Sequence, residues 1–159
     1  MQELRILHQD EHYVAIDKPD GLLVHRTRLA DERRAALQLL RDQIGRRLYM
    51  VHLLDRPTSG VLVFGLSAEA ARLLTRQFEQ RKVEKRYLGV VRGYTGEGRH
   101  NRFFRERFGI QRLLLMAWSL GFYHPYEGRW LTLKVAPDEE WQSLFRALGW
   151  EGVMRSFGR

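Results

Sequence analysis

The sequence contains no cysteine, which excludes disulfides, zinc–thiolate centres and a cysteine nucleophile, and suits a reducing compartment. It has no apolar run long enough to span a bilayer. Its first residues, MQELRILHQDEHYV, carry scattered charges and no apolar signal-peptide core, so a soluble cytoplasmic protein is expected. It also lacks internal repeats and low-complexity tracts. There is no GxxxxGK[ST] phosphate loop, no GxGxxG after a strand and no GxSxG elbow around Ser59. His8, His12, His25, His52, His100 and His124 show no metal-ligand spacing, so no metal is expected. Acids are the scarcer charge: 19 Asp+Glu against 27 Lys+Arg give a formal net charge of +8 over 159 residues. An excess of that size serves either solubility or a polyanionic partner such as nucleic acid.

What is present reads as one domain, 1–159, of α/β (α+β) type: a mixed, mostly antiparallel sheet with flanking helices. Leu4 to Leu7 and Tyr13 to Ile16 are β-type runs around a Gln9-Asp10-Glu11 turn, and Lys18 to Gly21 (KPDG) is a second turn. Leu22 to Val24 reads as a brief buried strand. Asp31 to Ile44 has helical apolar spacing, and Val61 to Leu66 is a buried strand. Ser67 can cap a helix whose stripe is Ala70, Leu73, Leu74 and Phe78. Lys85 to Arg92 alternates as a strand, whereas Gly93 to Arg107 has little periodicity. A hairpin through Trp118, Leu120, Phe122 and Trp130 to Val135 follows, and then a helix capped by Asp138.

Within VHLLDRPTSGVLVFGL, Asp55 has two readings. An aspartate before Arg-Pro commonly bonds its own backbone in a turn. Alternatively, it is a carboxylate held at the mouth of a strand to attack or to move a proton, with Pro57 stiffening the loop and Gly60 permitting the bend. Ser59 is expected to satisfy backbone groups of that loop. The cations Arg81, Lys82, Lys85 and Arg86 surround Tyr87, and further arginines interleave with Phe103, Phe104 and Phe108. Such a mixture neutralises phosphates and offers stacking faces, or is a solvated face above core aromatics.

HLLDRPTSG resembles the HRLDxxTSG signature of RluA-type pseudouridine synthases. IDKPDGLLVH is similar to that family's lysine-proline-glycine segment, EKRYLGVVRG to its tyrosine motif, and the segment from Arg99 to Gly128 to its C-terminal part. The resemblance implies a cofactor-free, metal-free isomerase that turns uridine into pseudouridine in RNA, tRNA being the expected partner. Asp55 matches the essential aspartate and Tyr87 the tyrosine that packs against the extracted base. His52, Arg56, Thr58, Ser59 and Gly60 are expected to support the catalytic loop. Lys18, Arg26, Lys82, Lys85, Arg86 and Arg112 are the candidates for RNA binding.

This chain departs from the family pattern at three places. Leu53 stands where the family has an arginine that fills the space of the extracted base, and it becomes a candidate apolar wedge. Met116 replaces a histidine. Between Gly98 and Arg99 a central segment is missing, with its strands and the arginine that pairs with the catalytic aspartate; the sequence reads as a deletion join. Arg112, or an arginine of a second chain, is a candidate replacement for that arginine. Exposed sheet edges left by the deletion would favour a homodimer, and a catalytically impaired RNA-binding remnant or minimal variant of the same family is the alternative function.

Overall fold

In a computed structural model, the structure describes residues 3–25, 35–90, 106–110 and 112–155. The strands β1 (Arg5–Gln9) and β2 (Tyr13–Lys18) pair antiparallel around the expected turn. Asp10 builds that turn: its Oδ1 accepts from the amides of His12 (2.6 Å) and Tyr13 (2.8 Å). The stretch after Gly21 is not the brief strand expected. The carbonyls of Leu23 and Val24 instead accept from the amides of Ala36 (2.7 Å) and Leu37 (3.0 Å) at the start of α1 (Ala36–Ile44). They satisfy orphan donors that Ala35, without a polar side chain, cannot.

The strands β3 (Tyr49–Met50) and β4 (Ser59–Gly65) follow, and every residue of β4 is buried, as its apolar run implies. Ser67 accepts from Ala70 N–H (3.1 Å) and caps α2 (Ala68–Glu79), as expected from the sequence. Next come β5 (Glu84–Gly89), β6 (Leu115–His124) and β7 (Arg129–Lys134). Asp138 caps α3 (Glu139–Leu148), which is followed by α4 (Glu151–Met154). The sheet runs β1-β2-β4-β6-β5, with β3 also pairing β4 and β7 also pairing β6. Among the described residues only β4–β6 is parallel, over two pairs: Ser59 opposite Met116 and Gly60 opposite Ala117. The mixed, mostly antiparallel sheet is thus the one expected.

Alternation along the strands makes two cores. Val61, Val63, Leu120, Phe122 and Leu131 pack with Leu74 of α2 and with Trp141, Leu144 and Phe145 of α3. On the other face Val14, Ile16, Leu62 and Phe64 pack with Leu39 and Leu40 of α1 and with Leu54. Burying each such side chain stabilises the fold by about 1.5–3 kcal/mol before entropy is counted. Leu54, the residue before Asp55, is therefore anchored in a core.

Candidate active site

The loop between β3 and β4 carries Asp55, with its side chain at the surface. Its turn closes through Thr58 N–H donating to the Asp55 carbonyl (3.0 Å). Beneath it lies Lys18, the last residue of β2, which is fully buried. Its Nζ donates to the carbonyls of Pro19 (3.0 Å), Leu22 (2.7 Å) and Arg56 (3.2 Å). Arg56 and Gly21 close the same clamp: Gly21 N–H donates to the Arg56 carbonyl (2.8 Å), and Arg56 Nε donates to the Gly21 carbonyl (2.9 Å). The KPDG turn and the DRPTSG loop are thereby one unit. Burial pushes the Lys18 ammonium down to about 8, while the nearby carboxylates of Asp20 and Asp55 pull the other way.

Three register pairs set a row across the sheet: Lys18 opposite Gly60, Gly60 opposite Ala117, and Tyr87 opposite Ala117. With strands about 4.8 Å apart, Gly60 and Tyr87 are roughly 10 Å apart through the backbone row. A side chain can span that gap. Tyr87 is 48% exposed, and its phenol is shifted up, first by burial and then by the Asp55 carboxylate. The sheet therefore brings Asp55 and Tyr87 into one electrostatic neighbourhood. Gly60 has φ +113°, and a Cβ there would lie 2.2 Å from the Ala117 carbonyl oxygen. Glycine is required for this approach.

His52 and Leu53 point different ways. The His52 ring stacks on Phe78 (4.6 Å between centroids), and its Nε2 accepts from Val63 N–H (3.2 Å). Burial pushes the imidazole down to about 4, against a hydrogen bond with the Leu53 backbone and with some help from Lys85. It is a neutral buttress tying the loop to β4 and α2. Leu53 is 56% exposed beside Asp55 in sequence.

Several expected RNA contacts need correction. Lys18 is interior and its three hydrogen bonds all go to carbonyls, so it shapes the loop and offers no surface charge. Arg112 is mostly buried between carboxylates, 3.6 Å from Asp20, 2.6 Å from Asp138 and also paired with Glu140. It staples α3 to the KPDG turn, its guanidinium engaged by these three carboxylates. Ser59 Oγ is buried and makes no hydrogen bond with the described residues, contrary to the expected backbone bond. Lys82, Lys85 and Arg86 are exposed along the start of β5, Arg86 being paired with Glu84 (2.5 Å). Arg26 and the join near Gly98–Arg99 lie outside the described residues.

Sequence reasoning missed a polar cluster at the opposite end of the sheet. Asp10 Oδ2 accepts from His8 Nε2 (2.6 Å) and His124 Nε2 (3.0 Å). His124 Nδ1 accepts from Glu127 N–H (3.1 Å), which fixes its proton on Nε2. Ligand-type atoms of Asp10, His124 and Glu127 lie within 4.8 Å of one another. Those of Asp10 and His124 are already engaged in hydrogen bonds, so the cluster acts as a clamp between the two hairpin turns. Asp10 and His124 are 114 positions apart, and no local pattern announces the contact.

The profile of the RNA pseudouridylate synthase family matches residues 12–117, a span that contains the Lys18–Gly60–Ala117–Tyr87 row. The chain belongs to that family. tRNA pseudouridine synthase C of Yersinia pestis is 32% identical over 238 aligned positions, covering 94% of this chain and 93% of that protein. Since this chain has 159 residues, at least 79 of those positions face no residue of it. tRNA pseudouridine synthase C of Haemophilus ducreyi is 56% identical over 96 residues, covering 60% of this chain and 40% of that protein. Human RNA pseudouridylate synthase domain containing 4 has the same fold, with a TM-score of 0.65 at 18% identity over 91% of this chain and 93% of that one. Among the described residues no helix is long and apolar enough to cross a membrane.

Proposed function

We propose that the chain is a uridine-to-pseudouridine isomerase acting on tRNA in the cytoplasm, with Asp55 as its catalytic residue. The observation that carries this reading is Asp55 at the surface of a loop fixed by Lys18, Arg56 and Gly60, with the Tyr87 phenol inside its electrostatic reach. The reaction breaks the N1–C1′ bond of uridine, turns the uracil and joins C5 to C1′. The proton lost at C5 balances the one gained at N1, so the stoichiometry calls for no cofactor. Asp55 acts on the ribose–base linkage, as nucleophile or as proton carrier, while Tyr87 packs against the extracted base. Leu53, exposed on the same loop, holds the stack open as an apolar wedge. Lys82, Lys85 and Arg86 contact phosphates.

The whole chain is read as one shortened catalytic domain with its join near Gly98–Arg99. The relative's unmatched positions support a missing central segment. Among the described residues β5 pairs only with β6, and such an edge supports a homodimer.

The test is pseudouridine formation on unmodified tRNA transcripts by the parent and by Asp55→Asn. Product from the parent and none from the variant is expected. A second reading, an RNA-binding remnant, is favoured by Arg112, whose engagement with Asp20, Asp138 and Glu140 leaves it unable to replace a lost partner arginine. A folded parent that binds tRNA and makes no product would establish that second reading.

A further inference from the structure

A second exposed aromatic surface lies on the sheet beyond Tyr87. Trp130 on β7 stands opposite Tyr123 on β6, and they are 47% and 50% exposed. The Trp130 indole leans diagonally over Gly121: its Cζ2, Nε1 and Cε2 lie 2.8, 3.0 and 3.1 Å from where a Gly121 Cβ would stand. Any side chain at that position would lift the ring. With glycine there, the ring lies close on the strand while almost half of the residue remains open to solvent.

Met116, Leu120 and Phe122 of β6 all point into the first core, while Ala117 belongs to the second. Alternation then puts Ala117 and Gly121 on the same side of β6. Tyr87 is the cross-strand partner of Ala117, so the two aromatic surfaces share one face, separated along β6 by roughly 13 Å. One cation stands between the two surfaces: Arg86, cross-strand from Ser119 of β6, is paired with Glu84 (2.5 Å). Exposed ion pairs of this kind hold by less than about 1 kcal/mol and exchange readily for phosphate. An exposed aromatic face with an arginine beside it, on the same face as Tyr87, suits a nucleobase and its backbone better than an apolar protein segment.

We infer that Trp130 is a stacking shelf for an unpaired nucleobase of the RNA, on the same strand as the uridine taken up between Tyr87 and Asp55. The inference rests on the RNA-modifying reading of the Asp55 site. It adds a contact that registers the substrate strand along β6, with Gly121 as the residue that lays the shelf flat.

The test is equilibrium binding of unmodified tRNA transcripts to the full chain and to Trp130→Ala, Trp130→Phe and Trp150→Ala. Trp150 is exposed near the C-terminus and serves as the control. Loss of one base–aromatic stack predicts binding weaker by about 5- to 150-fold for Trp130→Ala. Trp130→Phe is expected within about threefold of the parent and Trp150→Ala unchanged, on the same stacking argument. Indole fluorescence gives a second readout that needs only the conservative variant: RNA quenches the parent more than Trp130→Phe. Unchanged affinity in Trp130→Ala, or equal quenching in parent and Trp130→Phe, would overturn the shelf. A parent that binds tRNA through Trp130 but forms no pseudouridine keeps the shelf and sinks the catalytic reading. A parent that binds no tRNA sinks both.

Discussion

Gly60→Ala tests whether the sheet row positions the site. Gly60 pairs with Lys18 on one side and Ala117 on the other, at a φ of +113°. An alanine Cβ would fall 2.2 Å from the Ala117 oxygen, 2.7 Å from its carbonyl carbon and 2.8 Å from its nitrogen. These are backbone atoms, so no rotamer change relieves the overlap. The parallel β4–β6 contact is only two pairs long and must open or slide. Backbone strain of about 1–3 kcal/mol and overpacking of about 1–3 kcal/mol together predict a loss of roughly 2–6 kcal/mol. For a domain of this size, that lowers the melting temperature by roughly 5–20 °C.

Gly45→Ala supplies the comparison, because Gly45 has φ +65° at the end of α1 and nothing within 4 Å of the added Cβ. It should cost only about 1 kcal/mol, from conformation alone. Urea unfolding of the two variants isolates the clash. Pseudouridine formation, measured where Gly60→Ala remains folded, should fall further than in Gly45→Ala, because sliding β6 takes Ala117 and its partner Tyr87 away from Asp55. Equal unfolding midpoints for the two variants would refute the argument.

Acid should destabilise the protein in two separate windows. The folded imidazole of His52, near 4, lies below its ordinary 6.5; its contribution is present above pH 6.5 and is lost as pH falls from there towards 4. Burial pushes Asp10 up, but hydrogen bonds from His8, the His12 and Tyr13 amides and His124 outweigh it and hold the carboxyl at about 2. Its contribution is present above pH 3.8 and is lost as pH falls through 2. Thermal midpoints against pH should lose the upper slope in His52→Gln and the lower one in Asp10→Asn, and slopes unchanged in these variants would discard the assignments. Arg112→Met leaves three carboxylates facing one another and should cost about 1–3 kcal/mol in urea unfolding, discounted for their partial exposure, with tRNA affinity within about twofold. Lys82→Ala should weaken tRNA binding and reduce the slope of log affinity against log salt by about 1, whereas a reduced slope in Arg112→Met would restore that arginine as a phosphate contact.

Local chemistry made most elements legible. Ser67 and Asp138 announce their helices because a short oxygen before an amphipathic stretch has one obvious use, and both do accept the expected amide hydrogens. The unbroken apolar run of β4 similarly implied burial on both faces. Leu22 to Val24 misled because its apolar side chains are compatible with a strand, while its carbonyl partners, Ala36 and Leu37, lie more than ten residues away. Lys18 and Arg112 misled for a related reason. A cation reads as surface unless its partners are known, and theirs come from Arg56 and from Asp138 and Glu140. The motif around Asp55 was legible through resemblance. Its coupling to Tyr87 depends on which strands are neighbours and in what register.

The same placement explains how a basic chain isolates one acid. Arg41 pairs with Asp42, Arg146 with Glu139, and Arg112 with Asp20, Asp138 and Glu140, so these five acids are engaged in ion pairs and the formal surplus of +8 resides on cations outside them. Lys18 spends its charge on carbonyls below the loop. Asp55 sits above this buried ammonium and beside Tyr87, with exposed Lys82 and Lys85 at the start of the strand that carries the tyrosine. The buried ammonium below offers no donor to a phosphate, because its hydrogen bonds already go to the carbonyls of Pro19, Leu22 and Arg56. Positive charge thus stands at two depths, buried under the loop and exposed beside the tyrosine, and the division follows from Lys18 standing at the end of β2 and Lys82 just before β5.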